Sequence, residues 1–373
     1  MLSSPKNHGL TVTDVRSRDY RGRLTRPFVT ARRSVEEVIG LLVEVELDDG
    51  TVGHGSAAET LAVTGESVES MRAVIHGPVA EALTSGPESG GLRGHTDAIA
   101  AACTGNTSAK AAVDIALHDA WARRLGVPLV EALGGDTSTV LRTDMTISLA
   151  APEAMARAAV GAFEDGFTVL KVKLGRDWRA DLDRLRAVHD AVPDAEFRLD
   201  ANQGWDPKSS VRIIRAIEDA RIPLQLVEQP VPKHDLRGLA AVTAAVDVPI
   251  MADEALNSPQ DAFEIARTGA ADILNIKLAK CGGIGHAMAI ADVAHAAGLP
   301  CMVGAMMEPR ISITAAAHVA AAHPAITLVD LDSAEWIDER TLVGGYTLRG
   351  DRLHLSHTPG LGFEPTATEG IER

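Results

Sequence analysis

Cysteine is scarce: Cys103, Cys281 and Cys301 are the only three in 373 residues, and no pair of them forms a CxxC. Isolated, odd in number and without a secretory segment ahead of them, they give no sign of a disulfide framework and make a reducing cytoplasm the expected setting. Long apolar runs are missing too. None approaches the roughly 18 residues needed to span a bilayer, which argues against a membrane role. Positive charge is short, with 36 Lys and Arg against 51 Asp and Glu, a net charge of −15. With no basic stripe to release counterions, nucleic acid is not an expected partner. Nor does a GxGxxG or GxxxxGK[ST] turn follow any strand candidate, so a doubly wound sheet built on a phosphate-binding loop finds no support.

What is present is apolar material, 46% of residues, and a length that suits a barrel of about 250 residues with a smaller partner. Residues 1–130 read as α+β. LTVTDVRSRDY and VIGLLVEVEL have strand character, and Asp48, Asp49 and Gly50 supply a hairpin turn before TVGHGSA. Helices are expected in SVESMRAVIHGPVAEAL and in SAKAAVDIALHDAWARRLG, the latter started by Ser108 and ended by Gly126. Arg23 to Ser34 and His54 to Gly65 have the Gly, Thr, Ser and Pro content of mobile loops. From Arg142 onward, within a barrel domain set at 131–339, the rhythm changes. Strand candidates begin near residues 142, 168, 196, 225, 249, 272, 300 and 326, at intervals of 23 to 29, with amphipathic helix candidates between them. Eight strands and seven helices predict an α/β fold, a (β/α)7β TIM-like barrel. CGGIG at 281–285 serves as the tight turn into a helix.

Three strand candidates end on a carboxylate: FRLD at Asp200, LQLVE at Glu228 and VPIMADE at Asp253, separated by 28 and 25 residues. One acid per βα unit brings all three to the carboxyl rim of the barrel, where active sites of such barrels are built. Converging anionic oxygens repel unless a cation sits between them. All-oxygen ligation without Cys or His suits Mg²⁺ first and Mn²⁺ second. The alternative is three strand-end acids paired with surface Lys or Arg. VLKVKLG places Lys171 and Lys173 on one side of strand two, and LNIKLAK puts Lys277 at the same rim on strand six, across the barrel. Two lysines facing each other over a metal suit a general acid/base pair, because burial and nearby positive charge bring a lysine toward neutrality. Lys280, in the following loop, reads as structural.

KVK, LDANQGW, VEQP, MADEA and NIKLAKCGG, in this order and spacing, resemble the enolase superfamily, specifically its muconate lactonizing subgroup. The resemblance implies an α+β capping domain, residues 1–130 completed by the tail 340–373, over the barrel. It also implies one Mg²⁺ on Asp200, Glu228 and Asp253, Lys173 and Lys277 as the acid/base pair, and a homo-oligomer. Lys171 would add an ammonium to the developing oxyanion. Asn202 and Glu254 would orient the ligands or the lysines. With one lysine on each face of the α-carbon, the expected reaction is a 1,1-proton transfer. VGAMMEPR has no His at strand seven, which disfavours the sugar-acid dehydratases. Cycloisomerases, o-succinylbenzoate synthases and N-acylamino acid racemases share the lysines and the metal site, and a catalytically silent ligand-binding barrel is the remaining alternative.

ITLVDLDSA, on strand eight, adds Asp330 and Asp332, which point one way into the mouth. A substrate ammonium is the cation such a pair calls for. This DLD is similar to the dipeptide epimerase motif that holds the N-terminal amine. Thr146 and Ser148 in TDMTISLA would contact the peptide or its carboxylate. PFVTARRS resembles the lid segment that carries an arginine in Ala-Glu epimerases, with Arg33 at that arginine's place. The implied activity is epimerisation of a small-molecule dipeptide at its second residue, L-Ala-L-Glu to L-Ala-D-Glu, as in recycling of murein peptides. AMMEPR departs from the form found in Ala-Glu enzymes and leaves the side-chain preference open.

Overall fold

The computed structural model describes residues 10–29, 34–86, 91–175, 177–338 and 342–363. The N-terminal sheet has three antiparallel strands, Val12–Val29, Ser34–Leu47 and Val52–Ala58, in sequence order. The middle strand is apolar on both sides because both are covered. Leu41, Val43, Val45 and Leu47 join the core under the N-terminal helices, while Val38 and Leu42 join the core shared with the barrel. Gly50, at φ 82°, makes the turn between the second and third strands, helped by the Thr51 amide on Asp49 Oδ1 at 2.9 Å.

Three local expectations need correction. Residues 23–29 and 54–58 are strand rather than mobile loop, and residues 30–33 lie outside the described residues. Gly53 and Gly55 are required by close approach: a Cβ at Gly55 would lie 1.9 Å from the Ala112 carbonyl oxygen, and one at Gly53 2.1 Å from that of Ala116. The strand backbone thereby rests on the helix Thr107–Leu125. Ser108 does not cap that helix. Its amide and that of Ala109 donate to the carboxylate of Glu66 at 2.9 and 3.0 Å, so a distant acid supplies the negative charge a helix start favours. The preceding helix is broken: Ser67 caps Val68–Val74, the chain kinks at Gly77 and Pro78, and a helix resumes over Ala80–Thr84.

The barrel strands are Met145–Ile147, Val169–Lys173, Glu196–Asp200, Leu224–Glu228, Ile250–Ala252, Ile273–Ile276, Cys301–Gly304 and Ile326–Asp330, paired in sequence order. All these pairings are parallel, and a parallel bridge between Thr143 and Val329 joins the last strand to the first. Seven longer helices, from Pro152–Glu164 to Arg310–Ala322, alternate with them. Register keeps the rim level, with Lys173 opposite Asp200 and Asp200 opposite Glu228. Below the rim the interior divides. Leu226, Met251, Ile273 and Met302 form an apolar plug under strands four to seven, whereas Arg198 Nη1 lies 2.8 Å from Asp144 Oδ2 on the other side.

Gly282 and Gly283, at φ 92° and 124°, turn the chain into the helix Ile284–Ala297. A Cβ on Gly283 would strike Asp114, whose carboxylate accepts the Ile284 amide and so docks that barrel helix on the N-terminal helix Thr107–Leu125. The hairpin Tyr346–Arg349 and Arg352–Leu355 pairs with Leu141–Arg142, and the Leu361 amide reaches Asp119 at 2.6 Å. The three cysteines are free, and burial pushes the Cys281 and Cys301 thiols up to about 12. Among the described residues no helix is long and apolar enough to cross a membrane.

Candidate active site

The carboxyl ends of the strands open into one cavity, roofed by Phe28 of the first N-terminal strand and by Ala62 and Val63 of the turn that follows the third. Thr146 enters it from strand one, Lys171 and Lys173 from strand two, Asp200 from strand three and Asp330 from strand eight. Asn202, Asp253, Glu254, Lys277 and Asp332 enter from the segments just past strand ends. Glu228 lies beneath the surface, fully buried, 2.6 Å from Lys171 and 3.8 Å from Lys277. Ser148 takes another direction, its Oγ accepting the Val29 amide at 3.2 Å. Arg33 lies outside the described residues.

Ammonium and carboxylate groups alternate around this mouth. Lys173 Nζ is 2.6 Å from Asp200 Oδ2, Lys277 Nζ is 2.8 Å from Asp253 Oδ2, and Lys171 Nζ is 2.7 Å from Asp330 Oδ2. Burial alone would lower the Lys277 pKa toward the expected neutrality, but Asp253 and Glu228 outweigh it and hold the group above its ordinary value, contrary to that expectation. Lys171 behaves likewise, with Asp330, Glu228 and Asp200 overcoming burial. Burial raises the carboxyl of Asp253, yet Lys277 and Lys280 bring it well below the usual range. Glu228 is pushed up to about 7 by burial and by Asp200, against the pull of Lys171.

Glu228 Oε2 is a buried carboxyl oxygen, 2.6 Å from Lys171 Nζ, with no properly directed hydrogen bond among the described residues. Asp200, Glu228 and Asp253 each have their other oxygen bound by a fixed donor: the Asn202 amide, Asn275 Nδ2 and Lys280 Nζ. Hard oxygens and an under-neutralised buried acid fit a divalent cation of the Mg²⁺ kind. Among the described residues a second acidic triplet, Asp144, Asp330 and Asp332, brings its oxygens within 4.8 Å of one another. Asp144 bonds Arg198, Asp330 bonds Lys171, and Asp332 accepts from the Thr146 amide and the Trp336 indole.

Residues 154–369 match the family model described as enolase C-terminal domain-like, and residues 12–134 match that of the mandelate racemase/muconate lactonizing enzyme N-terminal domain. The chain belongs to this family of the enolase superfamily. Among its curated relatives is the L-Ala-D/L-Glu epimerase of Bacillus subtilis, 45% identical over 342 residues, which span 91% of this chain and 93% of the relative. The solved structure of a substrate-liganded complex of the L-Ala-D/L-Glu epimerase from Bacillus subtilis superposes with a TM-score of 0.93 at 42% identity, covering 96% of this chain and 99% of that one. A dipeptide epimerase from Enterococcus faecalis, solved in complex with Mg and L-Leu-L-Tyr, has a TM-score of 0.89 at 35% identity, covering 95% and 100%.

Within this mandelate racemase/muconate lactonizing architecture several site residues escape sequence reasoning. Asn275 is two positions before Lys277, so the period-two rule alone places it on the same inward face. Gln229 accepts the Asp253 and Ala255 amides through Oε1 and donates to the Val231 carbonyl, tying strand four to strand five. Lys280 is 2% exposed, and no periodic signal marks it, because it sits on the one-turn helix Leu278–Cys281.

Proposed function

We propose that this chain is a Mg²⁺-dependent dipeptide epimerase that inverts the α-carbon of the second residue, with L-Ala-L-Glu to L-Ala-D-Glu as the preferred conversion. The observation that carries the proposal is one cavity that Lys173 and Lys277 reach from opposite sides of the barrel, at strands two and six of eight, lined by Asp200, Asp253, Asp330 and Asp332, with Glu228 buried just beneath, 2.6 Å from Lys171 and 3.8 Å from Lys277. The family membership and the relatives' dipeptide substrates support it. Asp200, Glu228 and Asp253 would hold the ion, which when bound offsets the second negative charge that α-deprotonation puts on the substrate carboxylate; Mn²⁺ would serve in its place.

This chain's residues then do the rest. One of Lys173 and Lys277, unprotonated, accepts the α-proton at Nζ, while the other, as ammonium, delivers a proton to the opposite face. Reversal of the two roles carries the reaction back. Lys171, fixed as a cation, faces the developing oxyanion. Asp330 and Asp332 hold the substrate ammonium, Thr146 contacts the peptide while Ser148, turned to the Val29 amide, does not, Arg33 pairs with a Glu side chain, and Asn202 and Glu254 orient the ligands. We further infer a capping unit of residues 1–130 with 340–373 over a barrel of 131–339. A homo-oligomer in the cytoplasm, acting on murein-derived peptides, completes the reading. A library of L,L-dipeptides in deuterated water with Mg²⁺ tests it by mass gain: one deuterium at the second residue of acidic dipeptides is expected. Better turnover of N-acylated amino acids would instead make it a racemase.

A further inference from the structure

The three carboxylates assigned to the metal are each held from behind. Asp200 Oδ1 accepts the Asn202 amide at 2.9 Å, Glu228 Oε1 accepts Asn275 Nδ2 at 2.8 Å, and Asp253 Oδ1 accepts Lys280 Nζ at 2.6 Å. Their other oxygens, Asp200 Oδ2, Glu228 Oε2 and Asp253 Oδ2, face Lys173, Lys171 and Lys277. Lys280 also donates to the Asp253 carbonyl and, at 3.3 Å, to that of Asn275. Lys280 and Asn275 thus form one brace running from Asp253, across strand six, to Glu228. Lys280, read from the sequence as merely structural, is in direct contact with a candidate ligand.

Strand seven makes room for this brace. A Cβ on Gly304 would lie 2.7 Å from Asn275 Oδ1 and 3.1 Å from Lys277 Cε. The glycine is needed for space at this point, where the Asn275 amide and the Lys277 stem pass.

We propose that Asn275 and Lys280 are positioning residues that occupy the rear oxygens of Glu228 and Asp253, so that each offers a single oxygen to the ion, and that this sets the preference for Mg²⁺ over Ca²⁺. The inference rests on the metal assignment above. Mg²⁺ demands a small, near-octahedral set, whereas Ca²⁺ takes six to eight oxygens and readily accepts both oxygens of one carboxylate. A carboxylate pinned by its rear oxygen cannot turn to chelate with both. Released from the pin, it can, and the site becomes a better host for the larger ion.

The test competes Mg²⁺ and Ca²⁺ against Mn²⁺, read by the magnetic resonance signal of free Mn²⁺, on metal-free wild type, Asn275→Ala, Lys280→Met and Gly304→Ala. The ratio Kd(Mg²⁺)/Kd(Ca²⁺) is expected to rise about tenfold or more in each variant, the scale on which groups behind a ligand act. Lys280→Met leaves Asp253 with one buried cation fewer and is the variant at most risk in folding, so Asn275→Ala and Gly304→Ala decide. A ratio within about twofold of wild type in both, whatever happens to the melting temperature, overturns the proposal and leaves the brace purely structural. Failure of wild type to bind Mn²⁺ at all is a separate result that overturns the metal assignment itself.

Discussion

Asp200, Glu228 and Asp253 at and beneath one side of the mouth, and Asp330 and Asp332 at the other with Asp144 below them, are both triplets of buried acids, yet they are charged in different ways. The second triplet is tight enough to look like the metal site, with its oxygens within 4.8 Å. That closeness works against it. Burial first, and Asp330 next, raise the carboxyl of Asp332 and lift that of Asp144 well above the ordinary value, while Lys171 and Lys173 keep Asp330 low in spite of burial. Crowded acids share protons, and Arg198 and Lys171 already neutralise what remains. What is left suits a monovalent ammonium. The first triplet is as deeply buried, has one oxygen of each acid pinned from behind, and presents the others to the ammonium groups of Lys173, Lys171 and Lys277. It suits a divalent ion.

The lysines between the two walls give the largest expected effect. Lys173→Ala and Lys277→Ala should each lower epimerisation on the order of 10³-fold, the range of a lost general acid or base, while Mn²⁺ binding persists. Deuterium incorporation from solvent checks this. Near-normal epimerisation by either variant would refute the division of labour between the walls.

The raised carboxyl of Glu228 can be read from stability alone. Glu228 rises from 4.5 to about 7, so in the metal-free protein its contribution is fully present below about 4.5 and is lost as pH rises through about 7. The loss is on the order of 3 kcal/mol. Mg²⁺ favours the ionised acid, so the gain in melting temperature on adding Mg²⁺ should grow from pH 5 to pH 8. A gain independent of pH would place the ion elsewhere, and Glu228→Gln should flatten the dependence.

Strand-eight changes should be milder. Asp332→Asn keeps the Thr146 and Trp336 hydrogen bonds possible but removes charge, and should lower kcat/KM for free-amine dipeptides about thirtyfold, as for a charge-assisted hydrogen bond. Mn²⁺ affinity should stay within about threefold of wild type. A larger loss of Mn²⁺ would mean that the tighter triplet is the metal site after all.

The walls were legible in the sequence because barrel strands recur once per βα unit and their side chains alternate with period two, so a carboxylate at the end of each run must reach the same rim. The hairpin into TVGHGSA was legible, but residues 54–58 of the strand Val52–Ala58 were read as loop because glycine marks both flexibility and close packing, and only the helix beneath Gly53 and Gly55 distinguishes them. Val12–Val29 was cut short because it is an edge strand with Pro27 in it and a register shift between Arg23 and Phe28, where polar residues face solvent. Glu66, Gln229 and Lys280 act across long sequence distances from loops or a single turn, where no period exists to announce them.

The smallest expected effect concerns what neither wall reads. The ion and the strand-eight acids would take the two ends of a dipeptide backbone, which leaves the side chain of the inverted residue to the roof. Phe28, Ala62 and Val63 there, and Met306 and Met307 just past strand seven, line the cavity and offer no charge. Lys171, Lys173 and Lys277 are engaged with acids. Among the described residues that line the cavity no further Lys or Arg stands free for a Glu side chain, and Arg33, outside the described residues, is the residue proposed for it. Arg33→Met should lower kcat/KM for L-Ala-L-Glu roughly fivefold, the scale of about 1 kcal/mol for a solvent-accessible ion pair, and leave L-Ala-L-Leu unchanged. Equal loss for both would make the segment a lid without selectivity. No loss for either would hand the choice to Met306 and Met307, and apolar dipeptides would then outrank acidic ones.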